Sequence, residues 1–567
     1  MLDNNAIVFI VVIVAILLIL TIYGISSKAR ETKRLYNKIV SSYGQLPENE
    51  YLYEKYESIG FFYRNTYKQR IEDGEYCNID DITWHDLDMD SVYLEVNNTQ
   101  SSIGEEYLYS MMRTPTLKPE IIEERGRLID FFSKNRDLRT NLQVELARAG
   151  KLSNISVYEY ISRLKNLKSE DNITHYAKLI MIIAAIALIF IEPAVGIIST
   201  VVMFFVNVIS YFKRKGEIEK YYSVVSYMLR TIDTAKTISG LNINAIAKYT
   251  GQLKDLDKSF GTILKGGRII VSKKNGGDIL ETFLDYVRMA SHIDLIRFNN
   301  MLRKIKNKDK EFQKIFEILG FLDSMIAISS YRNFLGDWCE PELSKENKGI
   351  KSELIYHPLI NDPVKNSFNE EKSVLLTGSN ASGKSTFIKT MAINSILAQT
   401  IDTASARSFS SPFYRCMTSM ALSDNLSEGE SYYIVEIKSL KRICDALNDD
   451  VPLLVFIDEV LRGTNTLERI AASSQILKYI AERNCQLFAA THDIELTQLL
   501  KDYFELYHFE EKVKEKSVIF DYKLKPGPTT TRNAIKLLNM LGFEEDIINR
   551  ATEQADGFSS SGEWKLS

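Results

Sequence analysis

Three short stretches hold residue types that could carry out phosphate chemistry. Gly378–Thr386 reads GSNASGKST, so Gly378 is followed after four residues by Gly383, Lys384 and Ser385. Glycines at both ends let backbone N–H groups converge on phosphate oxygens without Cβ clashes. Lys384 is then set to reach β- and γ-phosphates, Ser385 to give an oxygen to Mg²⁺, and Ser379, Asn380, Ala381, Ser382 and Thr386 to complete the cradle. A second stretch, LLVFI, ends in Asp458 and Glu459. Asp458 is suited to hold Mg²⁺ directly or through water, and Glu459 to polarise an attacking water as general base. In the third, Leu487–Ala490 runs into Thr491, His492 and Asp493. A lone histidine is usually structural, but one at the end of a strand beyond such an acidic pair is a candidate site residue. The ligands this set implies are ATP and Mg²⁺.

The elements that must position these residues are legible around them. Val374–Leu376 is a short apolar run bounded by a glycine, as a buried parallel strand would be. The FIKTMAINSILAQ segment after the loop has apolar positions at helical spacing. Strand, glycine loop and helix is the context a Walker A loop requires, with the positive helix N-terminus aimed at the anion. The Asp458–Glu459 pair follows Lys384 by about 70 residues, which turns a weak motif into a specific Walker B strand.

The bulk numbers bound the rest. A chain of 567 residues predicts about three or four domains. A formal charge of −4 gives no global basic signal, so nucleic-acid binding would need a local patch. Lys304–Lys314 is a basic cluster that reads first as a solvated helix face and second as a phosphate-contacting patch. The five cysteines are scattered, without a Cys-x-x-Cys or Cys/His cluster, so neither zinc nor a disulfide framework is implied.

Upstream, Ala6–Tyr23 is about 18 residues without a charge, followed by Lys28, Arg30, Lys33 and Arg34. This predicts an uncleaved transmembrane anchor over 1–27, with the N-terminus outside and the remainder cytoplasmic, in a cell membrane. Residues 28–85 read as a helical lead-in, and 86–340 as a helical domain with apolar residues at three and four spacing. Within it, Leu179–Ile191 and Ala194–Phe212 are apolar, broken by Glu192-Pro193, with lysines and Arg214 at both bases. The basic ends and uncharged arms predict a membrane hairpin over 179–212, entering from the cytoplasm; a buried core hairpin is the alternative. Phe334–Lys351 reads as a boundary, 350–551 as the ATPase domain and 552–567 as a flexible tail.

These motifs resemble the MutS family within the ABC ATPase superfamily. Walker A there typically reads GPNMGGKST. The Asp458–Thr466 segment, DEVLRGTNT, is similar to the family's DEIGRGTST, and FAATHDIEL to its FATHYFEL. Asp424-Asn425-Leu426 and Gly429–Glu436 resemble the segment that bears the family's signature serine, here Ser431. TQSSIGEEYLYSMMRTPTLKPEIIEERGRLIDFF is similar to the start of the family's helical core, or lever, and Tyr522–Ala551 to its dimerisation segment. The resemblance implies an α/β P-loop (ABC-type) ATPase domain preceded by an all-α lever/core domain, here with transmembrane helices. It implies a homodimer in which Ser431 meets, in trans, an ATP held by the other subunit, and His492 contacts the γ-phosphate or its water. Pro363 and Val364 fall where the family packs on adenine, with Val364 in place of its frequent aromatic.

Two departures shape the expected function. Only an anchor and a lead-in precede the core, so the family's mismatch-reading domain is not expected here. The apolar hairpin stands where the family inserts its DNA clamp. The family implies DNA as a partner; the departures favour the lipid bilayer and a protein partner, as in an ATP-gated membrane scaffold. A transporter ATPase is the remaining class, but an exporter half usually has six spans and an LSGGQ signature, whereas LSEGES stands here.

Overall fold

The computed structural model describes residues 26, 29–47, 56–164, 171–267, 279–306, 308–379, 382–420, 432–448, 450–514, 517–529, 535, 538 and 541–561. The apolar segment at 6–23, Asn380, Ala381 and Ser431 lie outside them. In chain order the helices that matter are α1 (Ser102–Arg113), α2 (Pro119–Lys134), α3 (Ile173–Leu188), α4 (Pro193–Ser239), α5 (Ala247–Gly267), α6 (Ile279–Ser291) and α7 (Asp309–Leu335). The α/β part follows: β1 (Glu342–Leu343), β2 (Ile350–Ile355), β3 (Asn366–Glu370), β4 (Ser373–Thr377), α8 (Lys384–Ile401), β5 (Ser408–Ser411), β6 (Arg415–Ser419), α9 (Tyr432–Ala446) and β7 (Leu453–Asp458). It ends with α10 (Thr466–Ala481), β8 (Cys485–Thr491), β9 (Phe504–His508), β10 (Glu511–Lys514), β11 (Ser517–Phe520), β12 (Lys525–Pro526) and α11 (Glu545–Ser561).

The chain forms two compact units, each drawn from three stretches of sequence. The first takes residues up to Thr66, Leu94–Ser110 and Arg127–Phe334; the second takes Tyr67–Tyr93, Met111–Gly126 and everything from Leu335. The linear plan of a lead-in to 85 and a core from 86 is therefore cut differently in space. The reason is local bonding that periodicity does not reveal. Asp86 accepts from Thr418 Oγ1 at 2.7 Å and from Met420 N at 3.0 Å, while Thr83 Oγ1 accepts from Thr418 N at 3.1 Å. The short helix Asp81–Asp86, capped by Asp80 on Thr83 N, is thus fastened to β6 of the α/β unit.

The first unit is all-helical. Asp323 of α7 is buried and accepts from Gln100 N, Ser101 N and Ser101 Oγ, fixing the start of α1. The apolar hairpin is present as α3 and α4, but its second arm does not stop at Phe212. With Pro193 at the first turn, where its missing N–H costs nothing, α4 runs 47 residues into a buried stretch, Val224–Ile238. The arms are mostly exposed: Ile180, Phe190, Ile198, Phe205 and Ile209 all face outward. Among the described residues α4 is the one helix long and apolar enough to cross a membrane, with an 18-residue window of mean hydropathy 2.1. Its lower part is tied to α6, where Asn207 Nδ2 donates to Ala290 O at 2.7 Å.

The second unit is built on a six-stranded sheet ordered β12-β9-β4-β8-β7-β6. From β9 to β6 neighbouring strands are parallel, and β12 is antiparallel to β9. β4 and β7 are buried along their whole length, as parallel strands covered on both faces must be. A second sheet, β1-β5-β2-β3, completes the layers, and β10 pairs with β11 as a hairpin. A helical region followed by mixed α/β sheets is the architecture the sequence motifs called for. Parallel order brings the C-terminal ends of β4, β7 and β8 to one edge, and all three motifs lie there.

Candidate nucleotide-binding site

The loop after β4 is held by its own backbone needs. Gly378 has φ +141°, and a Cβ there would stand 2.5 Å from Phe509 O. Gly383 has φ +113° and begins α8; a Cβ would stand 3.2 Å from the Tyr522 ring. Both conformations favour glycine, and both approaches are close. Lys384 is buried and donates to Gly378 O at 2.7 Å and to Ser379 O at 2.8 Å, so its stem closes the loop on itself. Ser379 Oγ donates to Glu511 Oε2 at 2.6 Å. Burial lowers the Lys384 pKa, opposed by the carboxylates of Glu459, Asp458 and Glu511. A cation partly stripped of water at the N-terminus of α8 is suited to an anion.

The acidic pair stands on the next strand but one. Asp458 ends β7 and is buried; Glu459 follows with φ +61°, its N–H donating to Ala490 O of β8 at 2.9 Å. Glu459 Oε2 lies 2.5 Å from Arg462 Nε and 3.4 Å from His492 Nδ1. The His492 hydrogen bond, then the two nearby cations, hold the Glu459 carboxyl below its ordinary pKa despite its burial. The same bond raises the His492 pKa. The neighbouring Asp493 receives Arg469 of α10 in a forked pair at 2.7 and 2.9 Å. A carboxylate kept ionised beside a proton carrier can accept a proton from water and pass it on.

These residues border a cavity of about 680 Å³. Of the residues picked out by sequence, Ser379, Gly383, Lys384, Ser385, Thr386, Glu459, Pro363 and Val364 line it. Gly378 and Ser382 lie in the loop behind the wall, and His492 meets Glu459 from the side. The cavity is polar along the loop, has Ile355, Ile360, Pro363 and Val364 as apolar lining, and has Phe509 and Tyr522 beside Gly378 and Gly383. That fits a ligand with an anionic tail and a flat, weakly polar head. Ser385 and Asp458 offer oxygens only, the donor type Mg²⁺ takes, with phosphates and water completing the shell.

Several wall residues escaped the sequence reading. His357 is half-buried in the wall, and desolvation with the nearby Lys389 lowers its pKa to about 4, so it stays neutral near pH 7. Asn366 joins the wall to Tyr522: its Nδ2 donates to Tyr522 O at 3.0 Å and its Oδ1 accepts from Leu524 N at 2.9 Å. Arg462 was visible inside DEVLRGTNT, and a cation three residues after the candidate base was the available signal. Tyr522 and Phe509 gave none, since they are brought in by the turns after β9 and β11.

Comparison with known proteins places this architecture. Residues 374–559 match the model for MutS domain V. The DNA mismatch repair protein MutS of Thermotoga petrophila is 31% identical over 266 residues, 45% of this chain and 33% of that protein. Its namesakes in Leptospira interrogans and Thermus thermophilus are 30% identical over 292 residues and 31% over 179, covering 34% and 22% of their lengths. The phosphate loop, Glu459 and Arg462 fall within the stretch that matches, so this part of the chain is similar to a MutS domain V. The chain spans about a third of the length of these curated relatives.

Proposed function

We propose that this protein is a MutS-like ATPase that works as a homodimeric switch anchored in a cell membrane. The observation that carries the reading is the cavity lined at once by Ser379, Gly383, Lys384, Ser385, Thr386, Glu459 and Arg462. Lys384 and the loop N–H groups bind the phosphates of ATP, and Ser385 and Asp458 would hold Mg²⁺, which when bound neutralises charge developing on the transferred phosphoryl. Glu459 orients the attacking water and takes its proton, with Arg462 and His492 beside its carboxylate. The apolar lining of the cavity receives adenine. Ser431 of a second subunit completes the site in trans, so that ATP closes the dimer and its loss opens it.

The membrane part rests on charge and exposure. The α3–α4 arms present apolar side chains on nearly every face, and Lys213, Arg214 and Lys215 follow the second arm. Patches of that extent mark a lipid or protein contact, and the flanking charge puts the ATPase unit in the cytoplasm and the N-terminus outside. The curated relatives above are named for DNA mismatch repair, so duplex DNA is a candidate partner alongside a membrane-side protein. Purified protein in bilayers should hydrolyse Mg-ATP, with turnover lost in Lys384→Ala and in Glu459→Gln. Absence of hydrolysis in the unmodified chain would overturn the enzymatic reading. Duplex retention on a filter, with and without ATP, separates the DNA-acting switch from the scaffold.

A further inference from the structure

The loop that carries Glu459 is under strain and is held from one side by a single buried carboxylate. Both Glu459 and Leu461 have left-handed backbones, φ +61° and +58°, outside any glycine. Such residues persist only where their surroundings over-determine them. Glu436, one turn into α9 and 5% exposed, accepts the Leu461 N–H on Oε1 at 2.5 Å and also takes the Arg462 N–H. Its Oε2 is buried without a hydrogen-bond partner among the described residues.

The same two elements meet at two further points. Val460 and Leu461 share a core with Leu440 and Ile443 of α9, with Tyr433 packed against it. Gly463 approaches so closely that a Cβ would stand 3.0 Å from Tyr433 Cβ. The first turns of α9 therefore grip residues 460–463 by packing, by contact and by hydrogen bond. Arg462, whose N–H is gripped, is also the residue whose Nε reaches Glu459 Oε2.

We propose that Glu436 is a positioning residue for Glu459: it fixes residues 461–462, and through Arg462 the carboxylate, to the start of α9. This deepens the ATPase reading above and rests on it. A shift at the head of α9 reaches Glu459 without passing through the bound phosphates. Loss of Glu436 lets Leu461 relax from its left-handed conformation, and the carboxylate loses its aim while the phosphate cradle stays intact.

The test compares Glu436→Ala and Glu436→Gln in the full chain. Measured quantities are kcat and KM for Mg-ATP, equilibrium binding of Mg-ATP, and amide exchange at 461–462 without nucleotide. Glu436→Ala should lower kcat by about 10- to 100-fold while KM and affinity stay within about 2-fold, the signature of a lost transition-state arrangement. Exchange at 461–462 should quicken, and Glu436→Gln, which keeps one acceptor oxygen, should recover most of both. Should the alanine variant not fold, Glu436→Asp withdraws the carboxylate by one methylene and gives the same readings. Parallel loss of binding and kcat, or an unchanged kcat, overturns the proposal. If the unmodified chain does not hydrolyse ATP, the ATPase reading fails by itself, and unchanged exchange at 461–462 in Glu436→Ala would then sink the positioning claim independently.

Discussion

Glu459 Oε2 stands 3.4 Å from His492 Nδ1, and each group shifts the other's protonation toward the charged pair. His492 is raised by its bond to Glu459, so its charge should persist above the pH at which a free imidazole loses it. The pair's contribution is complete below the ordinary histidine pKa and fades as pH rises through the raised one. Because His492 is half-exposed, solvent screens the energy and the effect belongs in spectra more than in melting curves. Nuclear magnetic resonance of His492 should give a pKa above about 6.5 in the unmodified protein and a fall toward that value in Glu459→Gln. An unmoved His492 titration would remove the pair.

Glu459→Gln should also separate binding from chemistry. Phosphate and Mg²⁺ contacts survive the change, while water activation does not. Turnover should drop by about 10²- to 10⁴-fold with Mg-ATP affinity nearly kept. Lys384→Ala should act the other way, weakening nucleotide binding by about 10- to 100-fold because a charge-assisted contact is lost. Isothermal titration with a non-hydrolysable ATP analogue distinguishes the two.

Asn366 offers a subtler check on the wall of the cavity. Its side chain fixes Tyr522 O and Leu524 N by two neutral hydrogen bonds. Asn366→Ala should loosen Tyr522, whose ring packs beside Gly383, and weaken nucleotide binding by about 3- to 10-fold. A kcat at saturating ATP within about 2-fold of the unmodified protein is expected, since Glu459 and His492 are unaffected.

The hairpin predicts a topology. Positive residues at its base put Glu192-Pro193 at the far side of the bilayer. A cysteine placed at position 193 should react with an impermeant thiol reagent in intact cells, while Cys444 of α9 should not. Equal protection of both sites would favour a hairpin covered by protein.

What the sequence made legible follows a physical rule. β4, β7 and β8 are buried parallel strands, so each reads as a continuous apolar run that stops where chemistry begins, at Gly378, Asp458 and Thr491. The hairpin was legible for the same reason, although α4 continues past Phe212 because only Gly216 interrupts its helical preference. Contacts between distant segments leave no such trace. Asp86 bonding to Thr418, Asn366 to Tyr522 and Glu436 to Leu461 each join residues whose spacing carries no period. For that reason the sequence reads as a lead-in over 67–85 and as the start of the helical core over 86–93, and neither as part of the α/β unit.

The central claim is a dimer closed by ATP across a shared site. Sedimentation of detergent-solubilised Glu459→Gln in excess Mg-ATP tests it most directly, because this variant should hold the nucleotide without consuming it. A shift to a dimer with Mg-ATP, smaller with Mg-ADP and absent when Ser431→Ala is added, is the predicted result. An association state independent of nucleotide and of Ser431 would contradict it.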